Sequence, residues 1–86
     1  MDRIIREQII EMLRPKLDRF SIKENELNDS FDLVKSGFVN SLEFVELITR
    51  LEKHFSIEID FEKALEARDF TTLGGLAKII QKQRNG

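Results

Sequence analysis

Two side chains in this sequence could form a nucleophile–base pair: the hydroxyl of Ser41 and the only imidazole, that of His54. Both fall in one predicted helix, where they would lie roughly 20 Å apart along the axis and on nearly opposite sides. Covalent catalysis requires the two groups within hydrogen-bond reach. The chain also has no cysteine, so thiol chemistry would need an attached group. We therefore predict that the chain is not an enzyme.

A second arrangement that could do chemistry is a run of residues ahead of this helix. Asp32, Gly37 and Glu43 occupy the first, sixth and twelfth positions of a calcium-binding EF-hand loop. The third position is Val34, which offers no side-chain oxygen, and the helix would begin inside the loop at Ser41. Because the pattern lacks a ligand where calcium requires one, we predict no metal site.

Charge and hydropathy argue against two further classes of function. The chain carries 14 basic and 16 acidic residues, a net charge of −2, and its basic residues are interleaved with glutamates. A nucleic-acid-binding domain typically concentrates its basic residues on one face. No apolar run approaches the length of a membrane span, and the first residues lack the apolar stretch of a signal peptide. We expect a cytoplasmic protein with no nucleic-acid partner and no membrane span.

The elements that would position these residues are helical. Apolar residues recur at helical spacing, and the sustained alternation typical of strands is absent. A first helix is predicted from about Asp2 to Arg14, and Pro15 should end or kink it because proline disfavours helical geometry at the preceding residue. A long polar connection follows over residues 20–37, and we expect its apolar side chains to pack on the helices. They are Phe20, Ile22, Leu27, Phe31 and Leu33.

The second helix has the clearest pattern in the chain. Its apolar residues recur at i, i+3, i+4, i+7 and i+11, which predicts one buried stripe. The stripe consists of Phe44, Leu47, Ile48, Leu51 and Phe55. Asn40 or Ser41 can cap the helix, and Glu43 and Glu46 favour its positive amino-terminal end. Ser41 is therefore expected to be exposed at the helix start.

Two further helices complete the predicted fold. Asp60 can cap a short third helix, and Thr71 or Thr72 can cap the fourth. Gly74 and Gly75 should weaken the first turn of the fourth helix by up to about 1 kcal/mol each, and the polar residues 81–86 should fray. The sequence thus predicts an all-α protein, a single domain over residues 1–86. We expect a four-helix bundle with a long first loop and a short third helix.

The segment around Ser41 resembles the phosphopantetheine attachment region of acyl and peptidyl carrier proteins. In that family a glycine precedes a triplet of a polar or acidic residue, serine and leucine, and an amphipathic helix with a Val-Glu-Leu-like run follows. The matching residues here are Gly37, Asn40-Ser41-Leu42 and Val45-Glu46-Leu47. The likeness continues through Leu51-Glu52-Lys53-His54-Phe55 and Phe70-Thr71-Thr72-Leu73. It covers residues 32–80, which makes it far more specific than the triplet alone.

The resemblance implies a stand-alone acyl carrier protein. It implies a covalent 4′-phosphopantetheine, derived from coenzyme A, on Ser41, where a helix start favours the phosphodiester. The thiol of this arm would hold an acyl or aminoacyl cargo as a thioester, and partner enzymes would do the chemistry. The implied partners are a phosphopantetheinyl transferase and acyl-loading and acyl-processing enzymes, and we expect the carrier itself to be a monomer.

The same resemblance implies that partners dock on the second helix beside the arm. The residues expected there are Asn40, Leu42, Val45, Glu46 and Thr49. Two features depart from the family. Asn40 stands where an aspartate is usual, and basic residues such as Arg50 and Lys53 dilute the acidity of the second helix. Both favour a carrier of a specialised pathway, such as polyketide or modified fatty acid biosynthesis.

Two alternatives stay open at this point. The first is an aminoacyl or peptidyl carrier protein of a pathway like nonribosomal peptide synthesis, with the same arm and a different cargo. The second, from another class, is a helical adaptor that keeps the fold and is never modified. Addition of one arm to the intact protein separates either carrier from the adaptor.

Overall fold

The computed structural model describes residues 3–85 and consists of four α-helices joined by loops. The helices are α1 (Arg3–Arg19), α2 (Ser41–Phe55), α3 (Phe61–Leu65) and α4 (Leu73–Asn85), with a 3-10 turn at Glu24–Glu26. Over the described residues there is no β-strand, and one isolated antiparallel bridge joins Asp32 to Thr72. The predicted all-α bundle with a long first loop and a short third helix is confirmed. None of the helices described is long and apolar enough to cross a membrane.

One cluster of buried apolar side chains joins all four helices and the first loop. α1 packs directly against α4, and the stripe of α2 adds Ile48 and Leu51, both fully buried. The first loop contributes Leu27 and Leu33, also fully buried. Because a chain of this size buries only a modest fraction of its surface, these two loop side chains are a substantial part of its core. The predicted packing of the loop is confirmed for Leu27 and Leu33 and, in part, for Ile22 and Phe31, which are partly buried against the core. It is wrong for Phe20, which is 54% exposed.

The first helix differs from its prediction at Pro15. The helix continues through this proline to Arg19, although proline removes one backbone hydrogen bond and crowds the preceding turn. The continuation buries Leu17 and places Lys16 where its ammonium donates to the carbonyl of Phe38 at 2.8 Å. These tertiary contacts offset the cost of the proline. The predicted first residue, Asp2, lies outside the described residues.

The last helix also exceeds its prediction. It continues to Asn85, whereas fraying was expected from Gln81 onward. Ile80 is fully buried in the core, and the guanidinium of Arg84 lies over the ring of Phe55, 5.0 Å from the ring centroid. Phe55 is only partly buried, against the edge of the core, so its predicted burial is wrong, while that of Leu51 is confirmed. A partly exposed ring at the end of α2 thus anchors the last turn of α4.

Candidate functional site

The site is built on the first turn of α2. Asn40 caps the helix, with its side chain accepting a hydrogen bond from the backbone N–H of Glu43 at 2.7 Å. The carboxylate of Glu43 in turn accepts from the backbone N–H of Asn40 at 2.9 Å, which completes a capping box. Ser41 is therefore the first helical residue, and it is exposed. Within residues 3–85 no hydrogen bond engages its hydroxyl.

A lysine of α1 forms an ion pair with the carboxylate in this first turn of α2. The ammonium of Lys16 donates to the Glu43 carboxylate at 2.6 Å and to the carbonyl of Phe38 at 2.8 Å. The hydrogen bond from Lys16, followed by that from the backbone of Asn40, holds the pKa of Glu43 below its usual value. The turn ahead of Ser41 is thus tied to α1, and the carboxylate nearest to Ser41 on the helix is paired. Lys16 could not be predicted as part of the site from the sequence, because local patterns do not indicate a partner 27 positions away.

Asp32 fixes the part of the first loop that leads to Ser41. One carboxylate oxygen accepts from the backbone N–H groups of Val34 and Lys35, and the other accepts from the hydroxyl of Thr71 at 2.8 Å. Burial raises the pKa of Asp32, but these hydrogen bonds together outweigh it and hold the pKa below its usual value. Gly37 then turns the chain toward α2 with a left-handed backbone (φ 83°). The first loop reaches Ser41 in a defined conformation.

We expect the stability of the protein to depend on pH through Asp32. Its pKa is lowered in the folded state, so its contribution is complete above about pH 4, the usual value for aspartate, and is lost as pH falls through the lower folded pKa. Asp32→Asn should cost about 1 kcal/mol at pH 7 and progressively less in acid. Urea unfolding between pH 3 and pH 7 checks this, with Glu62→Gln, an exposed carboxylate on α3, as the control. A cost that stays constant over this range would contradict the assignment.

The other residues considered for catalysis or metal binding do not form a site together with Ser41. His54 is exposed near the end of α2 and packs edge-on against the ring of Phe55, with centroids 4.8 Å apart. It lies more than three helical turns from Ser41. Asp32 and Glu43 are each engaged by the donors described above. Over residues 3–85, no group of three or more histidine, cysteine or acidic residues is arranged to hold a metal ion.

The exposed side of α2 carries an apolar surface next to Ser41. Leu42 is 68% exposed and Val45 43% exposed, and Glu46 and Thr49 are exposed beside them. The Thr49 hydroxyl is bonded back to the carbonyl of Val45 at 3.0 Å. The structure therefore brings four of the five predicted docking residues to one exposed face of α2, while the fifth, Asn40, is exposed at the cap with its side chain bonded to the N–H of Glu43.

Three further apolar side chains are exposed, and no pattern in the sequence indicated the exposure of any of them. Ile4 on α1 is 64% exposed. Leu65 on α3 is 69% exposed, and Phe20 just after α1 is 54% exposed. A five-residue helix has too few turns for its apolar spacing to define a face. Phe20 follows the end of α1, where the next residue, Ser21, leaves helical geometry with φ 55°. No local signal in the sequence distinguishes its exposure from burial.

Comparison with known families agrees with this arrangement. The family model described as "Phosphopantetheine attachment site" matches residues 7–80, which include all of α2 and the loop that leads to it. Neither the curated proteins nor the solved structures gave a match to this chain. The matched family is one of non-catalytic carriers defined by a covalently attached 4′-phosphopantetheine. The chain belongs to the phosphopantetheine-attachment family of carrier proteins.

Proposed function

We propose that Ser41 is the residue that carries the phosphopantetheine arm. The observation that carries this proposal is its exposed, unengaged hydroxyl at the first position of α2. The chain has four other serines. The hydroxyl of Ser30 donates to an asparagine side chain at 2.7 Å, and that of Ser36 accepts from a backbone N–H at 3.3 Å. Ser21 and Ser56 follow the carboxyl ends of α1 and α2, where the helix dipole disfavours a phosphate.

The residues around Ser41 fit a phosphodiester. The capping box engages the N–H of Glu43, while the backbone N–H groups of Ser41 and Leu42 have no hydrogen-bond partner within the described part of the chain. These donors and the positive end of the helix dipole favour an anion. Pairing of the Glu43 carboxylate with Lys16 reduces its repulsion of the added charge. When attached, the group supplies a terminal thiol that holds cargo as a thioester.

The protein itself would present cargo and select partners. We propose that residues 1–86 act as a single, monomeric carrier domain whose partners dock on Asn40, Leu42, Val45, Glu46 and Thr49. Exposed apolar side chains beside a polar rim suit such a surface. The partners would be a phosphopantetheinyl transferase and enzymes that load and process an acyl or aminoacyl group. The basic residues on α2, such as Arg50 and Lys53, favour a specialised pathway of the polyketide or modified fatty acid kind.

The proposed function is tested by the intact mass of the protein after co-expression with a phosphopantetheinyl transferase of broad specificity. A carrier gains the mass of one arm, located by fragmentation on Ser41. An unmodified protein would support a helical adaptor with the same fold, and modification elsewhere would exclude Ser41. Addition of amino acids or of acyl groups by candidate loading enzymes then separates the two kinds of carrier.

Asn40 provides a test of partner selection. Asn40→Asp keeps the oxygen that accepts from Glu43, so the fold should not change. It adds one negative charge beside Ser41. An opposite charge about 4 Å away is worth about 1 kcal/mol in water, so a transferase specialised for acidic carriers should modify the variant up to about fivefold faster.

Initial rates of arm transfer at low and high salt measure this effect. The gain should shrink as salt screens the charge, and a transferase of broad specificity, used as the control, should respond much less. Equal rates for the two proteins with the specialised transferase would mean that charge at position 40 does not select this partner.

A further inference from the structure

One ammonium group holds the segment that carries Ser41 near both of its ends. The Lys16 ammonium donates to the carbonyl of Phe38 at 2.8 Å and to the carboxylate of Glu43 at 2.6 Å. Phe38 lies three residues before Ser41, and Glu43 lies two residues after it. We call residues 38–43 the Ser41 turn. A single side chain of α1 therefore fixes both ends of this turn.

The Lys16 side chain has little freedom to leave these two acceptors. Only 21% of it is exposed, and its ammonium lies 5.9 Å from the ring centroids of both Phe20 and Phe38. An ammonium offers three donors, and two of them are used within the Ser41 turn. Hydrogen bonds from a charged donor are stronger than neutral ones, and partial burial strengthens them further. The link from α1 to the Ser41 turn is thus a fixed feature of the fold.

Hydrogen bonds inside α2 and the first loop give the Ser41 turn its shape. The capping box closes its helical end, and the N–H of Val39 donates to the carbonyl of Leu33 at 2.9 Å. These bonds do not reach α1. The position of the turn relative to α1 therefore depends on Lys16 and on the apolar packing beneath the turn.

The position of Ser41 matters for the reaction in which the arm is added. The Ser41 oxygen attacks the phosphorus of coenzyme A that bears the pantetheine. A new oxygen–phosphorus bond forms, the bond from this phosphorus to the departing adenosine bisphosphate breaks, and the serine proton passes to a base of the transferase. Such a displacement needs the attacking oxygen close to the phosphorus and in line with the leaving group. A turn that moves relative to α1 would present its oxygen correctly only part of the time.

We propose that Lys16 is a positioning residue for addition of the arm at Ser41. This inference rests on the function proposed above and adds a residue of α1 to the site. Without the ammonium, the turn would have the competent arrangement in only a fraction of the molecules, and the apparent affinity of the transferase would fall by that fraction. A bound transferase holds the turn itself, so the rate at saturation should change little. Lys16 should therefore act on KM and not on kcat.

The test compares Lys16→Met with Arg14→Met in arm transfer from coenzyme A by a broad-specificity transferase. Methionine keeps the apolar stem of the lysine and removes its charge. Arg14 is the matched control, because it lies on the same helix and also joins two partners, Glu11 at 2.9 Å and Glu24 at 3.1 Å, outside the Ser41 turn. For Lys16→Met we expect KM to rise about tenfold and kcat to stay within about twofold of the wild type. Arg14→Met should keep the wild-type KM. An unchanged KM for Lys16→Met, or an equal rise in both variants, would overturn the proposal.

Two further variants separate positioning from charge. Lys16→Arg keeps a charged donor that can join both acceptors, so it should bring KM back to within about threefold of the wild type. In Lys16→Met/Glu43→Gln the unpaired carboxylate is absent, while glutamine can still complete the capping box. This double variant should be as impaired as Lys16→Met alone. Recovery of the wild-type KM would assign the effect to the charge of Glu43 and exclude positioning.

NMR relaxation gives an independent measurement that needs no transferase. The backbone order parameters of residues 39–42 should fall in Lys16→Met and stay at their wild-type values in Arg14→Met. Order parameters that do not change in Lys16→Met would overturn the positioning role while the carrier function stands. Failure of the wild-type protein to gain any arm would instead contradict the proposed function, and the role of Lys16 in arm addition with it.

Discussion

Ser41→Ala is expected to abolish addition of the phosphopantetheine arm and to leave the fold unchanged. The variant lacks the only serine hydroxyl that lies at the amino-terminal end of a helix in the described part of the chain. Its side chain is exposed, and the capping box is formed by Asn40 and Glu43, so stability should stay within about 0.5 kcal/mol of the wild type. The intact mass after co-expression with a broad-specificity transferase should equal that of the unmodified chain. Circular dichroism and the thermal midpoint should match the wild type.

Ser36→Ala is the matched control for this experiment. Ser36 is also exposed and lies five residues earlier, in the loop that leads to α2, and its hydroxyl accepts a hydrogen bond from the backbone N–H of Phe38. The control should gain the arm as the wild type does. An arm found on Ser41→Ala would contradict the assignment of Ser41. If neither variant gains the arm, the transferase requires the loop sequence around Ser36, and the loss in Ser41→Ala would not identify the attachment residue.

Gly75→Ala is expected to destabilise the protein by about 3 kcal/mol, at the upper end of the range for overpacking. Helix propensity alone predicts the opposite sign, a gain of about 1 kcal/mol for alanine over glycine. A methyl group at Gly75 would meet the backbone carbonyl of Asp69 well inside van der Waals contact. Backbone cannot move aside as a flexible side chain can, so the clash outweighs the propensity.

The consequence should extend to the functional site. The segment from Asp69 to Leu73 crosses the first loop, where the N–H of Leu33 donates to the carbonyl of Thr71 and the N–H of Leu73 donates to the carbonyl of Phe31. The hydroxyl of Thr71 also bonds to Asp32. A shift of this segment should weaken its hydrogen bonds to the first loop, so that the part of the loop before Ser41 becomes less ordered. Arm transfer should then be slower, even at temperatures where the helices stay folded.

Urea unfolding and the initial rate of arm transfer measure the two effects of Gly75→Ala. Gln83→Ala, an exposed position on the same helix, is the control and should change the free energy of unfolding by less than about 0.5 kcal/mol. A Gly75→Ala protein as stable as the wild type, or more stable, would mean that helix propensity outweighs the close approach.

Much of the fold followed from interactions between neighbours in the sequence. The stripe from Phe44 to Leu51 sets the buried side of α2, because residues three and four apart share one face of a helix. Asn40 and Glu43 are also three apart, so the cap that exposes Ser41 forms within a single turn. The position of Ser41 and the number of helices could therefore be predicted from the sequence.

The tertiary structure decided features that depend on residues distant in the chain. Pro15 was expected to end or kink α1, yet the helix continues to Arg19, with Leu17 buried and Lys16 in contact with the turn before Ser41. From the sequence, Gly75 is predicted to destabilise the first turn of α4. In the structure, its missing side chain allows the backbone at Asp69 to pass close to the helix. Local patterns describe one helix at a time. Which side chains meet across the bundle, and which backbones pass close to each other, is set only when the helices pack.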